Sequence, residues 1–155
     1  MGIENILHQT KIRHLNWAPV LCVESDCSLR EVLATMRSSR VGCVLVTENQ
    51  KLAGIFTERD VITKVACSNI DPSKAVLDFM TPKPRTLHPE DSFAAALQLM
   101  DKGCYRDIPL VDKEGRLLGR LSVKSIIDFL AEHYPQEVFS LPPHSRQNFA
   151  EPDGA

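Results

Sequence analysis

Residues 44–60 read VLVTENQKLAGIFTERD, and residues 109–125 read PLVDKEGRLLGRLSVKS. A shift of 65 aligns Val46 with Val111, Leu52 with Leu117, Gly54 with Gly119 and Thr57 with Ser122. Upstream the correspondence continues at a shift of 64. There VLCVESDCSLREVLATM at residues 20–36 meets PRTLHPEDSFAAALQLM at residues 84–100, which pairs Val23 with Leu87, Ser28 with Ser92 and Met36 with Met100. One extra residue therefore lies between Met100 and Pro109, in a connection, where length changes are tolerated. The chain is a doubled unit, and reading the unit once gives the fold.

In each copy an extended segment (Val20 to Val23; Arg85 to Leu87) leads to a serine, Ser28 or Ser92, placed to cap a helix. The helix faces Leu29, Val32, Leu33, Met36 and Phe93, Ala96, Leu97, Met100 keep i, i+3, i+4, i+7 spacing, the mark of one buried stripe. A β-rich run follows (Cys43 to Thr47; Ile108 to Val111), then a polar turn and a second strand (Leu52 to Phe56; Leu117 to Leu121). The last helix begins near Glu58 or Val123 and carries Val61, Ile62 and Val65, or Ile126, Ile127 and Leu130. The order is β-α-β-β-α, twice, an α/β (α+β) architecture. Two helices on a three-stranded sheet of about 60 residues bury little surface alone, so the two sheets are expected to pack together with helices outside. The expected division is an N-terminal segment 1–15 with a short amphipathic helix around Ile3, Ile6 and Leu7, a first repeat 16–70, a second repeat with its linker 71–134, and a mostly disordered tail 135–155. The linker holds three prolines, Pro72, Pro82 and Pro84, with one helical turn expected before Met80.

Composition removes several function classes. With 43% apolar and 25% charged residues among 155, the chain has the make-up of an ordinary soluble domain. A net charge of −2 gives no bulk attraction to polyanions, so a phosphate must be held by a few placed cations. Only 6% of residues are aromatic and no basic stripe runs between them, which argues against nucleic acid. No apolar run approaches a membrane span, and the N-terminus lacks a signal-peptide pattern, so no membrane role and a cytoplasmic location are expected. Met1-Gly2 fails the myristoylation pattern at Ile6. Five cysteines without a C-x-x-C pair read as reduced, mostly buried thiols, and five scattered histidines offer no metal set. Trp17 and Tyr105 read as packing residues, and Arg13, Arg30, Arg37, Lys64, Lys74 and Lys113 as a solvated surface. No nucleophile with a base, paired carboxylates or metal set gathers in one place, so the chain is expected not to be an enzyme.

The strongest local signal is Gly54-Ile55-Phe56-Thr57-Glu58-Arg59-Asp60, where a strand runs into a helix. Such junctions present free backbone N–H groups, an anion site. Thr57 offers a hydroxyl, and Asp60 a carboxylate able to accept both hydrogens of a vicinal diol such as a ribose. The same residues also read as a capping box that only starts the helix. The second copy keeps the glycine and the hydroxyl in Gly119-Arg120-Leu121-Ser122-Val123-Lys124-Ser125 but puts Ser125 where Asp60 stands, which makes it the weaker diol acceptor.

The doubled pattern, the run Gly-Ile-Phe-Thr-Glu-Arg-Asp at 54–60, the linker Val76-Leu77-Asp78-Phe79-Met80-Thr81-Pro82 and the stretch Tyr105-Arg106-Asp107-Ile108-Pro109-Leu110-Val111-Asp112 together resemble tandem cystathionine-β-synthase (CBS) domains, from about Val20 to Tyr134. The resemblance implies two copies about a pseudo-twofold axis, two clefts for adenosine ligands and a homodimer. It implies a regulatory sensor that needs no cofactor and acts on an unidentified effector protein in trans. The implied ligand is AMP, ADP or ATP, ahead of S-adenosylmethionine or NAD. In the first cleft it places the ribose on Asp60 beside Thr57, the phosphates near Arg59, and the purine between Ile55 and the segment at Pro84 and Arg85. In the second it turns Ser122, Lys124 and Arg106 toward the phosphates, with Val20 at the purine end.

Two departures set the copies apart. Ser125 replaces the ribose aspartate, and Arg120 replaces the apolar residue matching Ile55. Strand alternation puts Arg120 on the face of Ser122, where it either fills the second cleft or adds a phosphate contact. Asp107 is expected to pair with its neighbour Arg106 and weaken it as a phosphate ligand. The first cleft is therefore expected to bind the nucleotide well and the second poorly. The alternative is a ligand-free dimerisation or docking scaffold whose clefts are filled by side chains.

Overall fold

Ser28 and Ser92 begin the two long helices as their positions require. In a computed structural model, which describes residues 2–136, the Ser28 side chain accepts from the Glu31 amide and the Ser92 side chain from the Ala95 amide. The helices are α2 (Leu29–Ser39) and α4 (Phe93–Gly103), preceded by α1 (Ile3–Gln9) at the N-terminus. Both end on a left-handed residue, Arg40 or Cys104, again 64 positions apart. The next strands begin at Cys43 and Asp107, still 64 apart, and Val46 and Leu110 stand opposite Gly54 and Gly119. The extra residue therefore falls in the hairpin turn that follows and not, as expected, between Met100 and Pro109; Val46 corresponds to Leu110 instead of Val111.

The first copy builds one four-stranded sheet from β1 (Cys22–Glu24), β2 (Cys43–Glu48), β3 (Lys51–Thr57) and β4 (Thr81–Pro82), in that order. β1 lies parallel to β2, and the other pairs are antiparallel. Its fourth strand comes from the linker, one more than the three expected. The second copy keeps only the hairpin β5 (Asp107–Val111) with β6 (Leu117–Ser122) as a sheet. The extended segment expected over Arg85 to Leu87 is reduced to a single parallel bridge from Leu87 to Leu110. Proline explains the loss. In the first copy the Ser25 amide donates to the Thr47 carbonyl at 2.9 Å and closes the β1–β2 ladder; its counterpart is Pro89, which has no N–H.

Two cores form. In the first, Leu29, Val32 and Met36 of α2 meet Val44, Val46 and Phe56. In the second, Phe93 and Ala96 of α4 meet Leu110, Leu121, Ile126 and Phe129, with the Phe93 and Phe129 rings edge to face at 5.6 Å. The segments leading into each copy are exchanged. A 3-10 turn at Val76–Asp78, on the way into the second copy, puts Val76 and Met80 into the first core. The turn at Ile12–His14, on the way into the first copy, puts Ile12 and Leu15 into the second. The backbone bonds repeat at the same offset: Val76 to Cys27, Leu77 to Ser25 and Leu29 to Lys74 answer Ile12 to Asp91, Arg13 to Pro89 and Phe93 to Thr10. Neither core closes without chain from the other copy's lead-in. Across the pair, Lys51 bridges to Arg116, its own counterpart 65 residues on, as a twofold-like arrangement requires.

Glycine serves the exchange in both copies. A Cβ on Gly54 would lie 2.3 Å from Met80 Sδ and 2.9 Å from the Thr81 carbonyl oxygen, and one on Gly119 would press the Trp17 ring at 3.1 Å. The Met80 side chain can turn aside, but the β4 backbone cannot without losing its pairing. Gly54→Ala is therefore expected to cost about 1–3 kcal/mol in urea unfolding, more than Gly119→Ala, which meets only a side chain.

Several expectations are corrected. The last helix of the first copy is one α-turn, α3 (Glu58–Asp60), continuing as a π-helix over Val61–Ala66, whereas its counterpart α5 (Val123–His133) is regular. Ile62 and Ile127, equivalent positions among the apolar residues of these last helices, lie outside the cores, 63% and 58% exposed. Of the five free thiols only Cys43 is buried; Cys22, Cys67 and Cys104 are exposed because they sit at a strand edge or just past a helix end. Tyr105 is exposed, with its ring against Gly103, while Trp17 packs on the second core. The expected tail lies outside the described residues from residue 137 onward.

Candidate functional site

β3 ends at Thr57, whose extended backbone turns the chain into α3. The Glu58 amide donates to the Gly42 carbonyl at 3.0 Å, tying the helix start to the start of β2. Thr57 Oγ1 accepts from the Asp60 amide at 3.3 Å, and Asp60 Oδ2 accepts from the Thr57 amide at 2.9 Å and from Thr57 Oγ1 at 3.1 Å. The capping box is thus formed. It uses one carboxylate oxygen only. Asp60 Oδ1 faces out of the helix, where Lys64 Nζ stands at 2.9 Å and Thr81 Oγ1 at 3.3 Å. Asp60 is only 6% exposed, so this is a buried carboxylate satisfied by four donors.

Two of those donors were not singled out from sequence. Lys64, read as solvated, is drawn onto Asp60 four residues earlier and also donates to the Phe79 carbonyl at 2.9 Å. That i, i+4 spacing was a legible signal. Thr81 arrives from the linker because β4 pairs with β3, placing it opposite Ile55. Ile55 is half-buried and Arg59 exposed at the same junction. Pro84, half-buried, and the exposed Arg85 follow β4 along the linker.

The second junction has the same backbone and different chemistry. The Val123 amide donates to the Arg106 carbonyl at 3.0 Å, as Glu58 does to Gly42. Ser122 Oγ accepts from the Ser125 amide at 3.1 Å and lies 3.0 Å from Ser125 Oγ, so two hydroxyls stand where the first copy has a hydroxyl and a carboxylate. Arg120 Nη1 pairs with Asp107 Oδ1 at 3.0 Å and reaches Cys43 Sγ of the first copy at 3.4 Å. The expected Asp107–Arg106 pair is thereby replaced. Adjacent strand residues point to opposite faces, whereas Pro109 opposite Arg120 leaves Asp107 two positions along on the shared face. The pair is mostly buried, at 19% and 21% side-chain exposure. Burial, with the Asp107 carboxylate adding to it, pushes the Cys43 thiol up to about 11. Lys124, expected at the phosphates, is paired along the helix surface with Asp128. Arg106 is exposed, and Val20, expected at the purine end, is half-buried beside the bridge that joins Ala18 to Arg120.

A groove of about 630 Å³ lies apart from both junctions, between α1 and the end of α5, lined by Ile6, Gln9, His14, Phe129, His133 and Tyr134. Among the described residues no group of His, Cys, Asp and Glu could hold a metal ion, and no helix is long and apolar enough to cross a membrane.

The sequence model of the CBS domain matches the chain twice, over residues 12–66 and 76–132. The chain belongs to the CBS-domain family. Both matches begin on the exchanged lead-in residues, Ile12 and Val76. Among curated relatives, the Meiotically up-regulated gene 70 protein of Schizosaccharomyces pombe is 31% identical over 116 residues, covering 74% of this chain and 16% of that protein. The chain spans 16% to 19% of the length of the first four curated relatives it matches. Among solved structures, the CBS domain protein PAE2072 from Pyrobaculum aerophilum, complexed with AMP, superposes with a TM-score of 0.68 at 23% identity, covering 79% of this chain and 99% of that one. The cytosolic domain of the Mg2+ channel MgtE, in complex with ATP, gives a TM-score of 0.61 at 26% identity over 72% of this chain and 45% of that one. The pair architecture expected from the repeat is that of these structures.

Proposed function

We propose that this CBS pair is a non-catalytic regulatory module that binds one adenosine nucleotide, AMP, ADP or ATP, in its first cleft and acts on a separate effector protein. The observation that carries the reading is Asp60. It is a buried carboxylate at a strand-to-helix junction beside Thr57, with one oxygen outside the helix cap and held only by a side-chain ammonium and a hydroxyl. A ribose diol offers two donors of the same kind. Arg59, exposed on the first turn, is the cation available to a phosphate there. The AMP and ATP complexes of similar pairs support the ligand class.

Two exposed residues support a route for the signal. Ile62 and Ile127 stand exposed at equivalent places on the last helices, an apolar pair suited to a homodimer face. A ligand that bridges a junction and the neighbouring linker favours one arrangement of the two copies and so shifts the dimer's equilibrium. The scaffold reading keeps one specific observation in its favour, the Arg120–Asp107 pair set across the second cleft.

A thermal-shift panel of AMP, ADP, ATP, NAD, S-adenosylmethionine, a cyclic dinucleotide and GMP tests the choice. A ligand at a hundred times its Kd stabilises the folded state by about 2.7 kcal/mol, or about 5–10 °C for a chain this size. A rise with adenosine ligands and none with GMP is expected. A flat panel would leave the scaffold reading in place of the sensor.

A further inference from the structure

The two oxygens of Asp60 are held differently. Oδ2 belongs to the helix cap, bonded to the amide and hydroxyl of Thr57. Oδ1 is held by groups from one helical turn away and from the linker, Lys64 Nζ at 2.9 Å and Thr81 Oγ1 at 3.3 Å. With these four donors the carboxylate has no acceptor position left.

We propose that Lys64, assisted by Thr81, is a latch on the first cleft: it occupies the oxygen a ribose diol needs, and a ligand must displace it to bind. The proposal rests on Asp60 being the ribose acceptor. The partners on Oδ2 cannot leave without undoing the start of α3, so the exchange falls on Oδ1. Lys64 can leave at modest cost, because its side chain is 39% exposed and its ammonium finds water when released. Two donors depart and a diol brings two. A 2′-deoxyribose brings one, leaving an acceptor of a buried carboxylate unfilled.

The latch also reaches the linker. Lys64 Nζ donates to the Phe79 carbonyl, and Thr81 lies in β4, where the Lys83 amide donates to the Ala53 carbonyl at 3.2 Å. Release of Oδ1 therefore frees the Thr81 tie directly, and the Lys64 tie to Phe79 is lost with it as the ammonium swings out to water. The ligand and these two side chains are alternative occupants of one carboxylate oxygen. Lys64 is not placed as a phosphate ligand. It sits one turn beyond Asp60, away from the junction at Thr57 where the N–H groups start.

The test compares the full chain with Lys64→Met, Lys64→Arg and Thr81→Val by calorimetry, using AMP and adenosine, together with hydrogen exchange of the Thr81 and Lys83 amides. Lys64→Met is expected to bind both ligands about three- to ten-fold tighter, by the same factor, with Thr81→Val in the same direction and Lys64→Arg near the parent. The linker amides should exchange faster in ligand-free Lys64→Met than in the parent, and faster in the parent once AMP is added. If the parent binds AMP and Lys64→Met binds no tighter, the latch is wrong. Weaker AMP binding with unchanged adenosine binding would make Lys64 a phosphate contact and also overturn it. Unchanged linker exchange in ligand-free Lys64→Met overturns it without reference to any ligand. Failure of parent and variant alike to bind either ligand overturns the ribose reading instead, so the two failures are read separately.

Discussion

Asp60→Ala abolishes AMP binding in a calorimetric titration, while Ser125→Ala leaves the affinity within about two-fold of the parent; this is the expected result, and it follows from what each side chain can accept. The Asp60 carboxylate can take both hydrogens of a diol in charge-assisted bonds, each worth about 1.5–3 kcal/mol, so its loss weakens binding about a hundred-fold or more. Ser125 Oγ meets only Ser122 Oγ, and the helix start it belongs to is held through its backbone amide, which alanine keeps. Removing Asp60 also removes half of a capping box, at about 1 kcal/mol, and leaves Lys64 to turn to water. The fold should survive, and a urea unfolding curve checks it. Asp60→Asn separates the two roles: an amide oxygen still accepts from the Thr57 amide and keeps the cap, but it lacks the charge and the second acceptor. Its binding should fall at least about ten-fold with little change in stability. Equal losses at Asp60 and Ser125, or intact binding in Asp60→Ala, would contradict a single working cleft.

The repeat was legible because it is written at two levels, in the apolar spacing of the helices and in the glycine-hydroxyl junctions. Aligning Thr57 with Ser122 places the two helix starts without any knowledge of the fold. The exchange of lead-in segments was not legible, although Ile12 and Val76 stand 64 residues apart like every other pair upstream of the hairpins. Periodicity reports which face of an element is buried and not which copy buries it; only the backbone bonds from Ile12 to Asp91 and from Val76 to Cys27 decide that. The short strand before α4 failed for a reason visible afterwards, a proline at the position whose amide closes the ladder.

Within the site, spacing along one element carried further than chemistry between elements. Thr57 with Asp60 reads as a cap and as a diol acceptor, and the structure shows the cap formed on Oδ2, with Oδ1 outside it and held by Lys64 and Thr81. Composition makes Lys64 one of many scattered cations, since it does not report a side chain's partners, whereas its i, i+4 offset from Asp60 separates it from the rest. Adjacency in sequence pairs Asp107 with Arg106. In a strand, adjacency sends side chains to opposite faces, and the cross-strand register brings Arg120 instead.

A second binding site should appear when the altered junction is rebuilt on the pattern of the first. The variant Arg120→Ile, Asp107→Ala, Ser125→Asp is expected to raise the AMP stoichiometry in calorimetry from one to two per chain. Each change has a reason. Arg120 stands where the first copy has Ile55, and its guanidinium lies between the copies, against Asp107 and Cys43. Replacing it alone would leave Asp107 mostly buried with no cation, whereas removing both partners together costs little. Aspartate at 125 restores the diol acceptor, with an amide already bonded to Ser122 Oγ as that of Asp60 is to Thr57 Oγ1. The introduced carboxylate has no latch, because the counterpart of Lys64 is Phe129 and the residue bridged to the strand in place of Thr81 is Ala18. It is therefore unsatisfied until a ligand arrives, and the variant should be about 1–3 kcal/mol less stable without AMP. By the same reasoning the new site should bind at least as tightly as the original. A stoichiometry that stays at one, with the variant folded, would place the block at the second junction in its shape and not in Arg120 and Ser125. Two equal sites that both tighten on Lys64→Met would contradict the latch, since only the first cleft contains that lysine.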